Sequence, residues 1–317
     1  MSPLPVVLLV GQPFWVTRLA SLLSQHAADV VSVATVTSLA DLPTILGGDL
    51  AVRVGYRPGA GTWRGRGFDA AWRVLTAAAT RRRRAYYWIG TDVLNACSDW
   101  AAGEHTRSFK REAEGAVHWA ASSWLAEELK TIGVPAAEVL FPSALPAETV
   151  VQTLPTTFKV ATYIPDGRCG FYGGRQLLTA AKALPFLQFE VFGGTGSWVS
   201  GEKPANVSFL GWLHDVTPAY LESSVLLRLV QHDALGGSVR EALALGRQVI
   251  YTYPVRHTSH VEFDDVDGLI RKLGELASAH AAATLRPNFA GMAYARQAFD
   301  TRVLTRTFAE RLRGAAA

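Results

Sequence analysis

The sequence of 317 residues has few cysteines, few charged residues and no long apolar run. Its two cysteines, Cys97 and Cys169, lie far apart and no C-x-x-C pair occurs, so we expect neither a disulfide framework nor a cysteine-rich zinc site. This scarcity fits a reducing, cytoplasmic environment. No run of about 18 apolar residues occurs, which argues against a membrane-spanning helix. The apolar run Val6–Val10 has no basic region before it and predicts a buried strand rather than a secretory signal.

Apolar residues are plentiful, at 49% of the chain, whereas charged residues make up 18%. This balance excludes disorder, collagen and coiled coil as descriptions of the whole chain. Short apolar runs alternate with longer amphipathic stretches, a pattern typical of parallel βαβ units. Residues 142–157 hold three prolines and few charges, and they predict a linker.

The alternation on both sides of this linker predicts an α/β fold with two Rossmann-like, doubly wound parallel-sheet domains facing a cleft. We expect the first domain in residues 1–150 and the second in residues 155–300. The C-terminal segment 299–317 is expected to be helical and to pack back on the first domain. Ligands of such sheets bind at the carboxyl ends of the strands, so the loops there are where site residues are expected.

Arginine is concentrated in one stretch, although the net charge of the chain is only +4. Between Arg53 and Arg84 there are nine arginines and a single acid, Asp69. This stretch suggests contact with an anionic membrane surface or a lipid-phosphate acceptor, and a solvated basic surface is the alternative. No helix-turn-helix, zinc-finger or RNA-recognition signature accompanies it, so no nucleic-acid partner is expected.

The most informative segment, residues 225–252, predicts a buried strand, a glycine-rich loop, a helix and a second buried strand. The glycines Gly236 and Gly237 would let backbone amides approach a ligand, and the start of the helix favours an anion such as a diphosphate. Glu241 follows Ser238 by three residues, which fits a capping box. The alternative is that the Glu241 carboxylate binds the two vicinal hydroxyls of a ribose. Asp233 lies eight residues before Glu241.

The pair Asp233-x7-Glu241 resembles the E-x7-E element of retaining glycosyltransferases with the GT-B fold, in the family-4-like group. Asp233 stands where that group has Glu. The following strings, Glu241-Ala-Leu-Ala-Leu-Gly246 and Val249-Ile-Tyr-Thr, are similar to the same element. The resemblance implies a hexosyltransferase-like enzyme that moves a sugar from a nucleotide sugar, UDP or GDP first among them, to a sugar, lipid-linked or small-molecule acceptor. It further implies retention of configuration, no metal and no other cofactor.

The same resemblance implies an acceptor-side first domain, a donor-binding second domain and a set of site residues. Asp92, at the end of a predicted buried strand, would orient the acceptor, and His232 and Asp233 would contact the transferred sugar. Tyr172 stands where the group has a lysine before a glycine. The implied donor-binding residues are Arg168, Tyr172, Gly193, Gly194, Gly211, Gly236, Gly237, Ser238 and Glu241.

Other interpretations stay open for several of these residues. Asp92 could instead cap the helix that follows it, and Arg168 could be a surface turn residue. The glycines after Phe192 do not complete a G-x-G-x-x-G dinucleotide motif, because Val199 stands at the third glycine position. At the level of function, a nucleotide-sugar epimerase and an inactive sugar-nucleotide-binding protein of the same fold are the alternatives.

Overall fold

The computed structural model describes residues 3–38, 40, 41, 44, 47–55, 83–104, 107–147 and 153–317. The chain divides into two compact units, each built on a six-stranded parallel sheet. Unit 1 consists of Met1–Ala144, Asp233–Leu235 and Thr301–Ala317, and unit 2 of Leu145–His232 and Gly236–Asp300. The expected α/β class with two parallel sheets is confirmed.

The sheet of unit 1 has the strand order β2-β1-β3-β4-β5-β6. Its central strands are buried and, apart from Arg53, apolar, as expected for a parallel sheet with helices on its faces. The strands are β1 (Val6–Gly11), β2 (Ser32–Val36), β3 (Leu50–Val54), β4 (Arg83–Trp88), β5 (Val117–Ala120) and β6 (Ala137–Glu138). The described helices of this unit are α1 (Pro13–His26), α2 (Thr91–Ala101), α3 (Arg107–Glu114), α4 (Ser123–Thr131) and the C-terminal α10 (Thr301–Ala316).

Aromatic packing joins α10 to the core of unit 1. Phe308 is fully buried, and its ring stacks on Tyr87 of β4 with 4.8 Å between the centroids. Trp119 of β5 contacts the same phenylalanine edge-on at 5.8 Å. Arg306 of α10 also forms an ion pair with Asp29 at 2.9 Å. The apolar face of α10 is therefore part of the core of this unit.

The sheet of unit 2 has the strand order β12-β11-β10-β7-β8-β9. Its strands are β7 (Lys159–Tyr163), β8 (Gln188–Phe192), β9 (Val207–Gly211), β10 (Val225–Arg228), β11 (Gln248–Tyr251) and β12 (Ser259–His260). Its described helices are α5 (Gly174–Ala183), α6 (Thr217–Leu221), α7 (Gly237–Ala244), α8 (Val266–Ala281) and α9 (Phe289–Ala298), and a short 3₁₀ helix spans Asp166–Arg168. The core lies between the sheet and α5 and α8.

The basic stretch is only partly covered by the structure. Six of its arginines lie outside the described residues, namely Arg57, Arg64, Arg66, Arg73, Arg81 and Arg82. The amphipathic residues 70–80, whose pattern predicts a helix, lie outside them too. Arg53 is 1% exposed and lies on β3 in the middle of the sheet, so its assignment to a basic surface is wrong. Arg83, in contrast, is exposed. No helix in the described part of the chain combines the length and apolarity needed to cross a membrane.

A buried arginine holds the turn between α7 and β11. The side chain of Arg247 is 2% exposed. It donates hydrogen bonds to the carbonyls of Leu245 at 2.9 Å and Ser223 at 3.0 Å. Burial lowers the pKa of Arg247 to about 10, which leaves the guanidinium charged at neutral pH. This side chain therefore ties the loop after α7 to the segment before β10.

We predict that Arg247→Met lowers the free energy of unfolding by about 2–4 kcal/mol, because the buried carbonyls lose their donors. The exposed Arg271 of α8 offers a matched control, and Arg271→Met should change this free energy by less than about 0.5 kcal/mol. Urea unfolding followed by circular dichroism measures both. Equal stabilities for the two variants would contradict the role of Arg247.

Candidate functional site

The start of α7 combines uncapped backbone donors with a polar side chain. The helix begins at Gly237 with Gly236 as its N-cap, and no side chain caps it. The first amides of a helix have no intrahelical acceptor, and the helix dipole adds partial positive charge there. Ser238 is the second residue of the helix and not its N-cap, so the capping-box interpretation of Ser238 and Glu241 is wrong. The hydroxyl oxygen of Ser238 is buried, and no described residue gives it a hydrogen-bond partner.

The carboxylate of Glu241 lies beside this helix start. Its Oε2 accepts a hydrogen bond from the hydroxyl of Tyr220 at 3.2 Å. A methyl group placed on Gly237 would lie 3.5 Å from its Oε1. Burial, together with the negative charge of Glu241, raises the pKa of Tyr220 well above its usual value, so the hydroxyl stays protonated and acts as a donor. Tyr220 of α6 thus holds the carboxylate of Glu241, a residue of α7, near the amides of the helix start.

Two arginines and two tyrosines lie at the carboxyl ends of β7 and β10. Arg168 is exposed, whereas Arg228, the last residue of β10, is 8% exposed. The guanidinium carbon of Arg228 lies 5.0 Å from the centre of the Tyr172 ring and 5.9 Å from that of Tyr163. Arg168 lies 5.6 Å from the same Tyr172 ring. Both distances to Tyr172 are within cation–π range, so its ring contacts a guanidinium group from each arginine.

The glycines after β8 are required by packing. Gly193 has φ of 90°, and a Cβ there would overlap the ring of Tyr163. A Cβ on Gly194 would lie 2.6 Å from the carbonyl oxygen of Ile164. The carboxylate of Asp166 accepts backbone hydrogen bonds from this loop, at 2.9 Å from each of Thr195 and Gly196. The loop is therefore fixed against the segment that follows β7.

Gly211 ends β9 at φ of 69°, with no atom within 4 Å of a Cβ placed there. Its carbonyl accepts a hydrogen bond from the amide of Gly193 at 2.7 Å. The carbonyl of Gly211 is thus engaged in the sheet edge, and its glycine is explained by the backbone angle rather than by a close neighbour.

The structure places His232 and Asp233 in different units. His232 is buried and belongs to unit 2. Asp233 and the two residues after it belong to unit 1, where the indole nitrogen of Trp124 donates a hydrogen bond to the Asp233 carbonyl at 2.7 Å. Ala234 is buried in the core of unit 1. The backbone of Asp233 is therefore anchored by α4.

In unit 1, Asp92 is buried at the carboxyl end of β4. Its Oδ1 accepts hydrogen bonds from the amides of Ile89 at 3.1 Å and Gly90 at 2.8 Å. Helix α2 has Gly90 as its N-cap, so the capping interpretation of Asp92 is wrong. Burial raises the pKa of Asp92 to about 6, although these hydrogen bonds act in the opposite direction. The carboxylate therefore changes charge within the physiological range.

The pair Ser122-Ser123 follows an apolar run and predicts a cap for the next helix. Ser122 does stand at the N-cap of α4, but its buried hydroxyl forms no cap hydrogen bond. Within the described ranges, no three His, Cys, Asp or Glu side chains are arranged to hold a metal ion. His260 lies 3.4 Å from Glu262, and its Nε2 also lies 3.1 Å from the Thr252 carbonyl.

Several residues of this region carry weaker signals in the sequence. Tyr220 and Asp166 act on Glu241 and on the glycine loop through contacts between distant segments. No spacing rule predicts such contacts. Arg228 offers a signal, because an arginine at the end of an otherwise apolar, buried strand is unusual for a residue type that is seldom buried.

No protein-family model and no curated protein matches the sequence. Solved structures match over nearly the full chain. HepE from Anabaena, in complex with UDP and glucose, has a TM-score of 0.68 at 14% identity, over 96% of this chain and 98% of that one. Sucrose-phosphate synthase from Thermosynechococcus elongatus has a TM-score of 0.70 at 14% identity, over 98% of both chains. A glycosyltransferase from Rickettsia africae ESF-5 has 0.68 at 12% identity, again over 98% of both chains. At these identities the likeness shows the fold, which matches the expected GT-B type.

The raised pKa of Asp92 predicts a pH-dependent stability. The folded state binds the proton more tightly than the unfolded state, so the free energy of unfolding should fall by roughly 2–3 kcal/mol as pH rises from about 4 to about 6. Asp92→Asn should remove this fall, because the amide does not ionise. Urea unfolding at half-unit pH steps measures both proteins. Identical slopes for the two proteins between pH 4 and pH 6 would contradict the prediction.

Proposed function

We propose that the protein is a glycosyltransferase that moves a sugar from a nucleotide-sugar donor to an acceptor hydroxyl. UDP and GDP are the first nucleotides to test, and the acceptor is a sugar, a lipid-linked sugar or a small molecule. The fold it shares with HepE, which was crystallised with UDP and glucose, supports this proposal. So does the construction of the α7 start described above.

The observation that carries the proposal is the helix start itself. Gly236 and Gly237 leave backbone amides free of side-chain caps, and the buried Ser238 hydroxyl lies among them. A diphosphate is an anion that such a helix start stabilises with fixed dipoles. The Glu241 carboxylate, held by Tyr220, is an acceptor suited to the two vicinal hydroxyls of a ribose. These groups would bind the two ends of a nucleoside diphosphate.

The chemistry then follows from charge. The acceptor oxygen bonds to the anomeric carbon while the bond from that carbon to the diphosphate breaks, and the hydroxyl proton passes to the departing diphosphate. Negative charge develops on the leaving group, where amide dipoles and the Arg168 guanidinium can stabilise it. In the proposed retaining course the acceptor attacks on the face from which the diphosphate departs, so no protein nucleophile is required. We propose that this occurs without a metal ion, because these groups supply positive potential.

The remaining roles are assigned by position. In unit 1, ionised Asp92 would accept a hydrogen bond from the acceptor hydroxyl and orient it, a role available above its pKa of about 6. Asp233 and His232 would contact the hydroxyls of the transferred sugar. We further propose a cytoplasmic enzyme, with peripheral contact to anionic lipid through the arginine-rich stretch that ends at Arg84.

A donor screen tests the function. In a thermal-shift screen against UDP-, GDP-, ADP- and dTDP-sugars, one donor at about 100 times its dissociation constant should add about 2.7 kcal/mol of stability. Products formed with and without candidate acceptors then separate transfer from epimerisation and from inactivity. A protein whose melting temperature responds to none of these donors would contradict the proposal.

We predict that Glu241→Ala weakens binding of the selected nucleoside diphosphate at least tenfold, about 1.4 kcal/mol, because the ribose hydroxyls lose their acceptor. The protein should stay folded. Glu275→Ala, which removes an exposed carboxylate from α8, is the matched control and should bind like the original chain. Isothermal titration calorimetry measures all three proteins, and unchanged affinity in Glu241→Ala would rule out the ribose role.

A further inference from the structure

The donor site proposed above has a charge requirement that Arg168 meets only in part. A nucleoside diphosphate carries at least two negative charges at neutral pH, and more develops as the sugar leaves. Arg168 is exposed on the 3₁₀ helix, where solvent screens its charge. Tyr172, which stands at the position of a lysine in the resembled group, cannot neutralise charge. A second cation at the ends of the strands would meet this requirement.

Among the described residues, Arg228 has the position that a second cation at the strand ends requires. It ends β10, the strand from which the chain runs on towards the start of α7. A buried guanidinium is charged at all physiological pH values and carries five donors in a geometry that matches phosphate oxygens. Because solvent is largely excluded at 8% exposure, its charge acts more strongly on a bound anion than a surface charge would.

The segment that holds Tyr172 is fixed against the chain beside Arg228. A Cβ on Gly173 would lie 2.6 Å from the Cβ of Leu229, so a glycine is required for this approach. The carbonyl of Phe171 accepts a hydrogen bond from the amide of Gln231 at 3.0 Å. The ring of Tyr172 is thereby held at 5.0 Å from the Arg228 guanidinium carbon.

The charge of Arg228 also acts on Tyr220, beside Glu241. It lowers the pKa of Tyr220, although burial and Glu241 raise that pKa overall. It lowers the pKa of Tyr163 in the same way, again against a larger effect of burial. Tyr220 is the residue that donates to Glu241, at 3.2 Å. The charge of Arg228 therefore acts on Tyr163 and on Tyr220, the residue that contacts the Glu241 carboxylate.

We propose that Arg228 is a donor-binding residue that contacts the diphosphate, and that Tyr172 positions its guanidinium through the face of its ring. This inference rests on the proposed function. In the bound state, the exposed Arg168 would approach the diphosphate from solvent and the buried Arg228 from the interior. Tyr172 thus supports a cation on a neighbouring strand and does not itself carry the charge.

The test compares binding of the nucleoside diphosphate that stabilises the original chain, among UDP, GDP, ADP and dTDP, with binding of the matching nucleoside. Arg228→Gln should weaken diphosphate binding by about 10- to 100-fold and change nucleoside binding less than twofold. Arg228→Lys should retain part of the affinity, because the charge remains. Arg271→Gln, which removes an exposed arginine of α8, should bind like the original chain.

A variant that moves the positive charge to a neighbouring position distinguishes loss of charge from a purely structural effect. In the double variant Tyr172→Lys with Arg228→Gln, a cation returns from the neighbouring segment and should recover at least about tenfold of the diphosphate affinity. Melting temperatures are measured for every variant. If Arg228→Gln does not fold, Arg228→Lys and the double variant decide.

Three results would overturn the inference. One is unchanged diphosphate binding in Arg228→Gln. Another is an equal loss for diphosphate and nucleoside, which marks a structural role. The third is a double variant that folds but recovers nothing. If the original chain binds none of the four nucleoside diphosphates, the proposed function fails and this inference fails with it. If the original chain binds one of them and Arg228→Gln binds it with the same affinity, this inference alone is overturned.

Discussion

An uncapped helix start that follows a buried strand and its loop is the constraint on which the candidate site depends. The backbone turns from β10 into α7 through Gly236, and the first helical residues are small. A larger side chain at Gly237 would approach the Glu241 carboxylate, which already accepts the Tyr220 hydroxyl. The small residues thus keep open a helix end whose positive potential a capping side chain would otherwise neutralise. The rest of unit 2 holds that end in place.

Around this helix start, aromatic rings supply shape and arginines supply charge. Tyr163 contacts Tyr172 edge-on at 5.3 Å and Phe192 at 5.7 Å, and Phe192 in turn contacts Tyr220 at 5.9 Å. This chain of rings runs from the arginine pair to the residue that binds Glu241. Rigid rings have few rotamers. The positions of the arginines and of the Glu241 carboxylate are therefore restricted by the rings that they contact. A polar site is thereby built on an apolar frame.

The sequence predicts the fold well because buried parallel strands leave continuous apolar runs. The apolar runs at residues 159–163 and 30–34 each predict a strand; the first is confirmed, and the second is displaced by two residues to Ser32–Val36. Predictions from residue type and spacing were wrong where packing determines the position of a residue. Charge suggested a surface position for Arg53, but register places it on a central strand. The spacing of Ser238 and Glu241 suggested a cap, but the helix begins one residue before Ser238. The pKa of Asp92 depends on burial, which no spacing reveals.

The division of the chain bears on the order in which the protein is made. Unit 1 draws on the first 144 residues, on three residues near the middle of the chain and on the C-terminal helix. Phe308, which is fully buried against Tyr87, is translated after the whole of unit 2. A nascent chain would therefore expose the face of the first sheet that α10 covers until α10 has been translated. All of unit 2 would by then have been translated, so unit 1 begins first but completes its core only after unit 2 has been made.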